Sequence, residues 1–206
     1  MKKQQKILHL LCTGMLFLFS QAMFAQTELL DSITLDRTFV YTSIEEAMQH
    51  PELVIKLELK KKKLKQIPPE VFQLPNLQYL DLSKNKIREL PDEIGQLKNL
   101  QYLVLSKNEL QELNPKIGYL KNLYYLEINN NELTALPFDI GKLEKLKYLD
   151  LWSNDIGRFP EEIKNLKNLK MMDLRVIMIP DADQKRIQSL LPHTKIHFSP
   201  YCNCSQ

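Results

Sequence analysis

The sequence is poor in the residues that carry chemistry. Among 206 residues there are only five glycines, three cysteines, four histidines and one tryptophan. No glycine-rich phosphate loop, nucleophile elbow, HExxH motif or paired catalytic carboxylate motif is present, so the sequence points to a non-enzymatic protein and calls for no cofactor. An excess of positive charge is also missing. The 28 Lys and Arg face 25 Asp and Glu, and Lys2, Lys3 and Lys6 lie in an acid-free N-terminal segment whose removal leaves 25 against 25. A globally basic nucleic-acid binder is therefore disfavoured, because counterion release needs surplus cations on the binding surface. No apolar run reaches the roughly 20 residues that a membrane-spanning helix requires. What is present is 44% hydrophobic and 26% charged residues, a globular composition that fits one domain.

The first 25 residues read as an export signal. Lys2, Lys3 and Lys6 precede a mostly apolar stretch from Ile7 to Phe19, followed by small residues that suit cleavage after Ala25 or, second, Ala22. Leu11 before Cys12 is too large for a lipoprotein signal. A periplasmic or extracellular protein with no stable membrane insertion after cleavage is expected.

From residue 54 the chain repeats every 23 residues. Leu77, Leu80, Leu82, Asn85 and Ile87 recur as Leu100, Leu103, Leu105, Asn108 and Leu110, then as Leu123, Leu126, Ile128, Asn131 and Leu133, then as Leu146, Leu149, Leu151, Asn154 and Ile156. Each copy continues with a second half such as Leu90-Pro91-Asp92-Glu93-Ile94-Gly95-Gln96-Leu97. A fixed period of this size is the mark of a solenoid. The pattern LxxLxLxxNxLxxLPxxIGxLxNL resembles the leucine-rich repeat family in its 23-residue class, as found in exported proteins of bacterial type. The resemblance implies a curved horseshoe segment, an α/β-type solenoid with parallel strands on its concave face and protein partners as ligands. It implies no catalytic residues.

The residues support the same architecture without the resemblance. Alternation at Leu80-Asp81-Leu82 turns the leucines one way and Tyr79, Asp81 and Ser83 the other. One copy cannot bury its apolar side alone, whereas stacked copies share a core. The organisation expected is a signal peptide at 1–25, a linker and N-terminal cap at 26–53, about six repeats, four of them complete, at 54–174, and a C-terminal cap and tail at 175–206. Ser43-Ile44-Glu45-Glu46 reads as a capping box opening a short helix. Asp181 is expected to cap a helix to Leu191, with Lys195–Phe198 as a last strand. Residues 26–40 read as linker or edge strand.

Three outward columns remain as a candidate partner surface. Tyr79, Tyr102, Tyr125 and Tyr148 align in one, Asp81, Glu127 and Asp150 stand in the next, and Trp152 lies in the third. Tyrosine and tryptophan dominate interface hot spots, so a protein or peptide carrying Arg or Lys is the expected partner, and its identity is unknown from sequence. Glycan or polyanion binding by the same aromatics with the rim lysines Lys61, Lys84 and Lys107 is the alternative. Asn85, Asn108, Asn131 and Asn154 read as structural, satisfying backbone groups at the bend after each strand. His193, His197, Cys202 and Cys204 form a less favoured metal or thiol cluster at the tail, where a Cys202–Cys204 disulfide is the leading reading and no bound metal is expected.

Overall fold

The computed structural model describes residues 28–199. The expected signal peptide and both tail cysteines lie outside the described residues. Eight short strands form one parallel sheet in sequence order. They are β1 (Val40–Tyr41), β2 (Lys56–Glu58), β3 (Tyr79–Asp81), β4 (Tyr102–Val104), β5 (Tyr125–Glu127), β6 (Tyr148–Asp150), β7 (Met171–Leu174) and β8 (Lys195–Phe198). The register follows the repeat, with Tyr79 opposite Tyr102, Tyr102 opposite Tyr125 and Tyr125 opposite Tyr148. This is the curved repeat solenoid that the sequence led one to expect.

The second half of each repeat returns through a 3-10 turn, at Pro69–Gln73, Asp92–Gln96, Pro115–Tyr119, Phe138–Lys142 and Glu161–Asn165. Proline 68, 91, 137 and 160 stand immediately before these turns with φ between −57 and −72°, which the pyrrolidine ring imposes without loss of a needed donor. Asn114 takes that place in the third copy and caps the turn by side chain, its Oδ1 accepting from the Lys116 N–H at 2.8 Å. Between strands and return turns runs a single apolar cluster from Ala47 to Leu191. Leu80, Leu82, Leu103, Leu105, Ile94, Ile117 and Ile140 are all fully buried. Each such side chain stabilises the array by about 1.5–3 kcal/mol relative to exposure.

Both ends of the core are covered. At the N-terminal end, α2 (Ile44–Ala47) is capped by Ser43, whose hydroxyl accepts from the Glu46 N–H at 3.1 Å, and it buries Ala47. At the other end α3 (Asp181–Leu190) buries Ile187, and β8 extends the sheet beside β7. Asp181 does not cap α3. Pro180 holds the cap position, without a side-chain bond, and Asp181 is the first helical residue.

The segment before α2 is more than linker. Val40–Tyr41 is the edge strand, and ahead of it α1 (Ser32–Asp36) is capped by Asp31, whose Oδ1 accepts from the N–H groups of Ile33 and Thr34 at 2.9 and 3.0 Å. These bonds, that of the Thr34 N–H first, hold the Asp31 carboxyl below its ordinary range.

Candidate functional site

The outward columns stand on the concave side of β2 to β7 as the alternation requires. The tyrosines form a continuous aromatic layer. Ring centroids are 6.0 Å apart between Tyr79 and Tyr102, 5.8 Å between Tyr102 and Tyr125, and 6.1 Å between Tyr125 and Tyr148. Tyr124 joins the layer, 5.7 Å from both Tyr102 and Tyr148, with Lys147 above its ring at 4.6 Å. Reading every second residue missed it, because it stands one position before the strand. The tyrosine doublet Tyr124-Tyr125, where two earlier copies have Gln-Tyr, was the available signal.

The acid column is largely committed within the chain. Asp81 is buried, accepts from the Ser83 N–H at 2.8 Å, and faces Lys60 at 3.4 Å. The Glu58 carboxylate, 2.8 Å from Lys60, is the main reason its ammonium is held more firmly protonated than usual. Glu127 accepts the Tyr125 hydroxyl at 3.0 Å and the Asn129 amide at 3.3 Å. Asp150 accepts from Asn129 at 2.6 Å and from the Trp152 N–H at 3.0 Å, yet burial pushes its carboxyl above the ordinary range. At Asp173 burial acts the same way, but the Arg175 guanidinium at 2.6 Å and the Arg175 N–H outweigh it and hold the carboxyl low.

Burial, and then the carboxylates of Asp81 and Glu58 beside Tyr79, push its phenol far above 10.0. Burial and Glu127 do the same for Tyr125. A group whose folded pKa is raised contributes stability that is complete below its unfolded value and is lost as pH climbs through the folded one. The tyrosines therefore leave the midpoint of denaturant unfolding unaffected from neutral pH to about pH 10 and make it fall above that, with Tyr125→Phe removing part of the fall. Tyrosinate absorbance of the folded protein should lag that of the unfolded chain over the same range. Superimposable absorbance curves would refute the burial of these phenols.

The face is not open along its whole length. Residues 28–36 lie over its N-terminal end, so that Ser32, Leu35 and Asp36 share a depression with Lys56, Tyr79 and Tyr102. Asp36 is 3.9 Å from Lys56. Tyr125, Tyr148 and Trp152 stand beyond this segment and are half-buried, and Met171 after them is exposed. Of the residues the sequence singled out, the structure thus brings Tyr125, Tyr148, Trp152, Glu127 and Asp150 together on the uncovered half.

The rim column has a backbone cause. Lys61, Lys84, Lys107, Asn130, Ser153 and Val176 all adopt φ between 52 and 62°. This left-handed turn carries each of β2 to β7 into its bend, and the residues in it are polar except for Val176. The bend sets the backbone and accepts lysine, asparagine, serine and valine alike, so the recurrence of lysine does not by itself favour a polyanion ligand.

At each bend the asparagine ladder bridges repeats. Asn131 Oδ1 accepts from the Leu110 N–H at 3.0 Å, while its Nδ2 donates to the Leu105 and Ile128 carbonyls at 3.1 and 3.0 Å. Asn85, Asn108 and Asn154 make equivalent bonds. At the tail, His193 is exposed in the turn after α3 and His197 lies in β8. Among the described residues no three His, Cys, Asp or Glu side chains are grouped to hold a metal ion.

A parallel-strand solenoid with an asparagine at the bend after each of β3 to β6 defines a repeat protein. The chain belongs to the leucine-rich repeat family. A leucine-rich repeat region model matches residues 52–143, and a second leucine rich repeat model matches residues 121–175. Among solved structures, a leucine-rich repeat protein of Leptospira interrogans is 32% identical with a TM-score of 0.61, over 78% of this chain and 54% of that one. Internalin C2 of Listeria monocytogenes is 25% identical with a TM-score of 0.59, over 72% of this chain and 62% of that one. A plant peptide hormone receptor, RGFR1, solved in complex with RGF2, is 31% identical with a TM-score of 0.55, over 68% of this chain and 23% of that one. The chain thus spans about half the length of the Leptospira protein. The comparison with curated proteins gives no match.

Proposed function

We propose that this protein is an exported, non-enzymatic recognition scaffold that binds a protein or peptide partner through the uncovered half of its concave face, at Tyr125, Tyr148, Trp152, Glu127 and Asp150. The leucine-rich repeat fold is in general a protein-binding scaffold, and the plant relative was solved with its partner bound. The observation that carries the reading is the position of Trp152. The only tryptophan is half-buried on the outward side of the sheet, in the same repeat as Tyr148 and with its N–H bonded to Asp150, rather than in the leucine core. Rigid aromatics with a polar end supply large contact area at little entropic cost, and the acids favour a partner bearing Arg or Lys. Export rests on the lysine-led apolar start of the sequence, and among the described residues no helix is long and apolar enough to cross a membrane.

The test is capture of partners from envelope and host-type extracts on immobilised native protein, on the Tyr125→Ala, Trp152→Ala double variant, and on Phe138→Ala as a control. Phe138 is 71% exposed on a return turn, away from the concave columns. Native protein and control should capture the same partner, and the double variant should bind it at least about tenfold more weakly, as loss of hot-spot aromatics does. Equal capture by all three would remove the site from this face.

A further inference from the structure

The covered end of the concave face has the construction of a peptide site, and its occupant is the chain itself. The Gln78 side chain is fully buried, yet it spends both ends of its amide on the backbone of the N-terminal segment. Its Oε1 accepts from the Leu30 N–H at 2.9 Å and its Nε2 donates to the Glu28 carbonyl at 3.2 Å. Gln101 donates to the Leu30 carbonyl at 2.9 Å and to Gln78 Oε1 at 2.9 Å, which fixes the pair. No side chain of residues 28–30 bonds to the glutamines, so these hydrogen bonds read main chain alone. Side-chain identity enters further on, where Leu35 is 2% exposed but stands apart from the continuous leucine core. It lies instead with Lys56, Tyr79 and Tyr102, and the following Asp36 faces Lys56.

The strap has little strength of its own. α1 is five residues long, well short of the length at which a helix persists alone in water. It is held by Leu35, by the Asp36–Lys56 pair, by the bonds of the glutamine pair and by Ser32 beside Tyr102, with Leu29 and Leu30 only half-buried. Such a segment belongs to the low-stability end of a fold, where local opening precedes global unfolding. At the same column the later copies carry Tyr124, Lys147 and Lys170, so only the repeats beneath the strap offer glutamine.

We propose that Gln78 and Gln101, with the depression at Lys56, Tyr79 and Tyr102, form a peptide-backbone site that residues 28–36 fill in cis, and that its partner in trans is a peptide segment that follows the same path, non-helical at the glutamines and then a single helical turn. That segment presents a free N–H and C=O pair to the glutamines and, five residues beyond, a leucine-like side chain followed by an acid. The site is separate from the Tyr125 to Trp152 surface, and the two readings stand or fall independently. A tethered strap acts at millimolar effective concentration, so the native chain admits a competing peptide poorly and loosening the strap should expose the site.

The probe is a labelled synthetic peptide of residues 28–37, titrated by fluorescence anisotropy with the full chain. The Leu35→Ser chain is expected to bind it at least about tenfold more tightly than the native chain, since the cis competitor is weakened. Adding Gln78→Leu to Leu35→Ser should abolish binding, whereas adding Trp152→Ala should leave it unchanged. Equal binding by the native and Leu35→Ser chains, with circular dichroism intact, would overturn the proposal. Loss of binding with Trp152→Ala would also overturn it, by moving the peptide to the uncovered half. Hydrogen exchange on the native chain gives a readout that no substitution can compromise. The Leu30 and Leu35 amides should exchange at least a hundredfold faster than that of Leu105, which is bonded to the Glu127 carbonyl at 2.7 Å in the sheet region. Exchange as slow as that of Leu105 would make the strap part of the global fold and refute its displacement.

Discussion

Replacement of Asn131 by leucine should lower the stability of the fold by about 3 kcal/mol, read as a fall in the urea midpoint at unchanged slope. Asn131 is 8% exposed, and its amide satisfies an N–H and a carbonyl of the preceding repeat and a carbonyl of its own. Leucine has the same branched outline with more bulk, and it leaves those groups unpaired in a place that water does not reach, where each orphan costs about 1–3 kcal/mol. Because the bonds run between adjacent repeats, they act on the interface terms by which a solenoid holds together. Asn108 makes matching bonds to Ile87, Leu82 and Leu105, but it is only half-buried, so solvent can replace part of what leucine removes. Asn108→Leu should therefore cost less, about 1 kcal/mol. An unchanged midpoint for Asn131→Leu would show that the ladder contributes nothing to the stacking.

Gly141→Ala should destabilise by about 2–3 kcal/mol. A methyl group there would sit 2.4 Å from the Glu162 carbonyl oxygen and 2.9 Å from the Glu162 Cβ, on the return turn of the next repeat. The obstacle is backbone rather than the end of a flexible side chain, so two repeats must move apart to admit it. Gly118 is confined in the same way, 2.6 Å from the Asp139 carbonyl oxygen, and Gly118→Ala should behave alike. Gly157 meets nothing within 4 Å. At that position alanine should be neutral or stabilising by up to about 0.5 kcal/mol, through the unfolded chain. Thermal unfolding of the three variants checks the contrast, and a common effect at all three positions would mean that spacing between return turns is not what selects glycine.

The glycine after Ile94, Ile117 and Ile140 was visible in the sequence as a repeated letter, but its reason was not. None of these glycines has positive φ, so the turn itself does not demand it. Only the distance to the following repeat does. The rim lysines show the reverse case. They read from sequence as part of an alternative polyanion surface, and the structure places them in a left-handed bend that recurs after each of β2 to β7. Tyr124 was passed over because strict alternation places it off the concave side, while its ring in fact closes the gap between Tyr102 and Tyr148.

The sequence by itself determined the solenoid, its period and its strand register. Each repeat solves the same packing problem as its neighbour, so leucine spacing within 23 residues specifies every strand that follows. It also determined which side chains face outward, because that depends only on alternation along a strand. What the tertiary structure alone decided is how much of the outward face is free. Contacts of the strap join Leu30 to Gln78 and Gln101 across 48 and 71 residues, outside the period of the array. Two glutamines and a leucine carry no local signature of such a meeting. It exists only once the sheet has brought β3 and β4 together and the N-terminal segment has folded back across them.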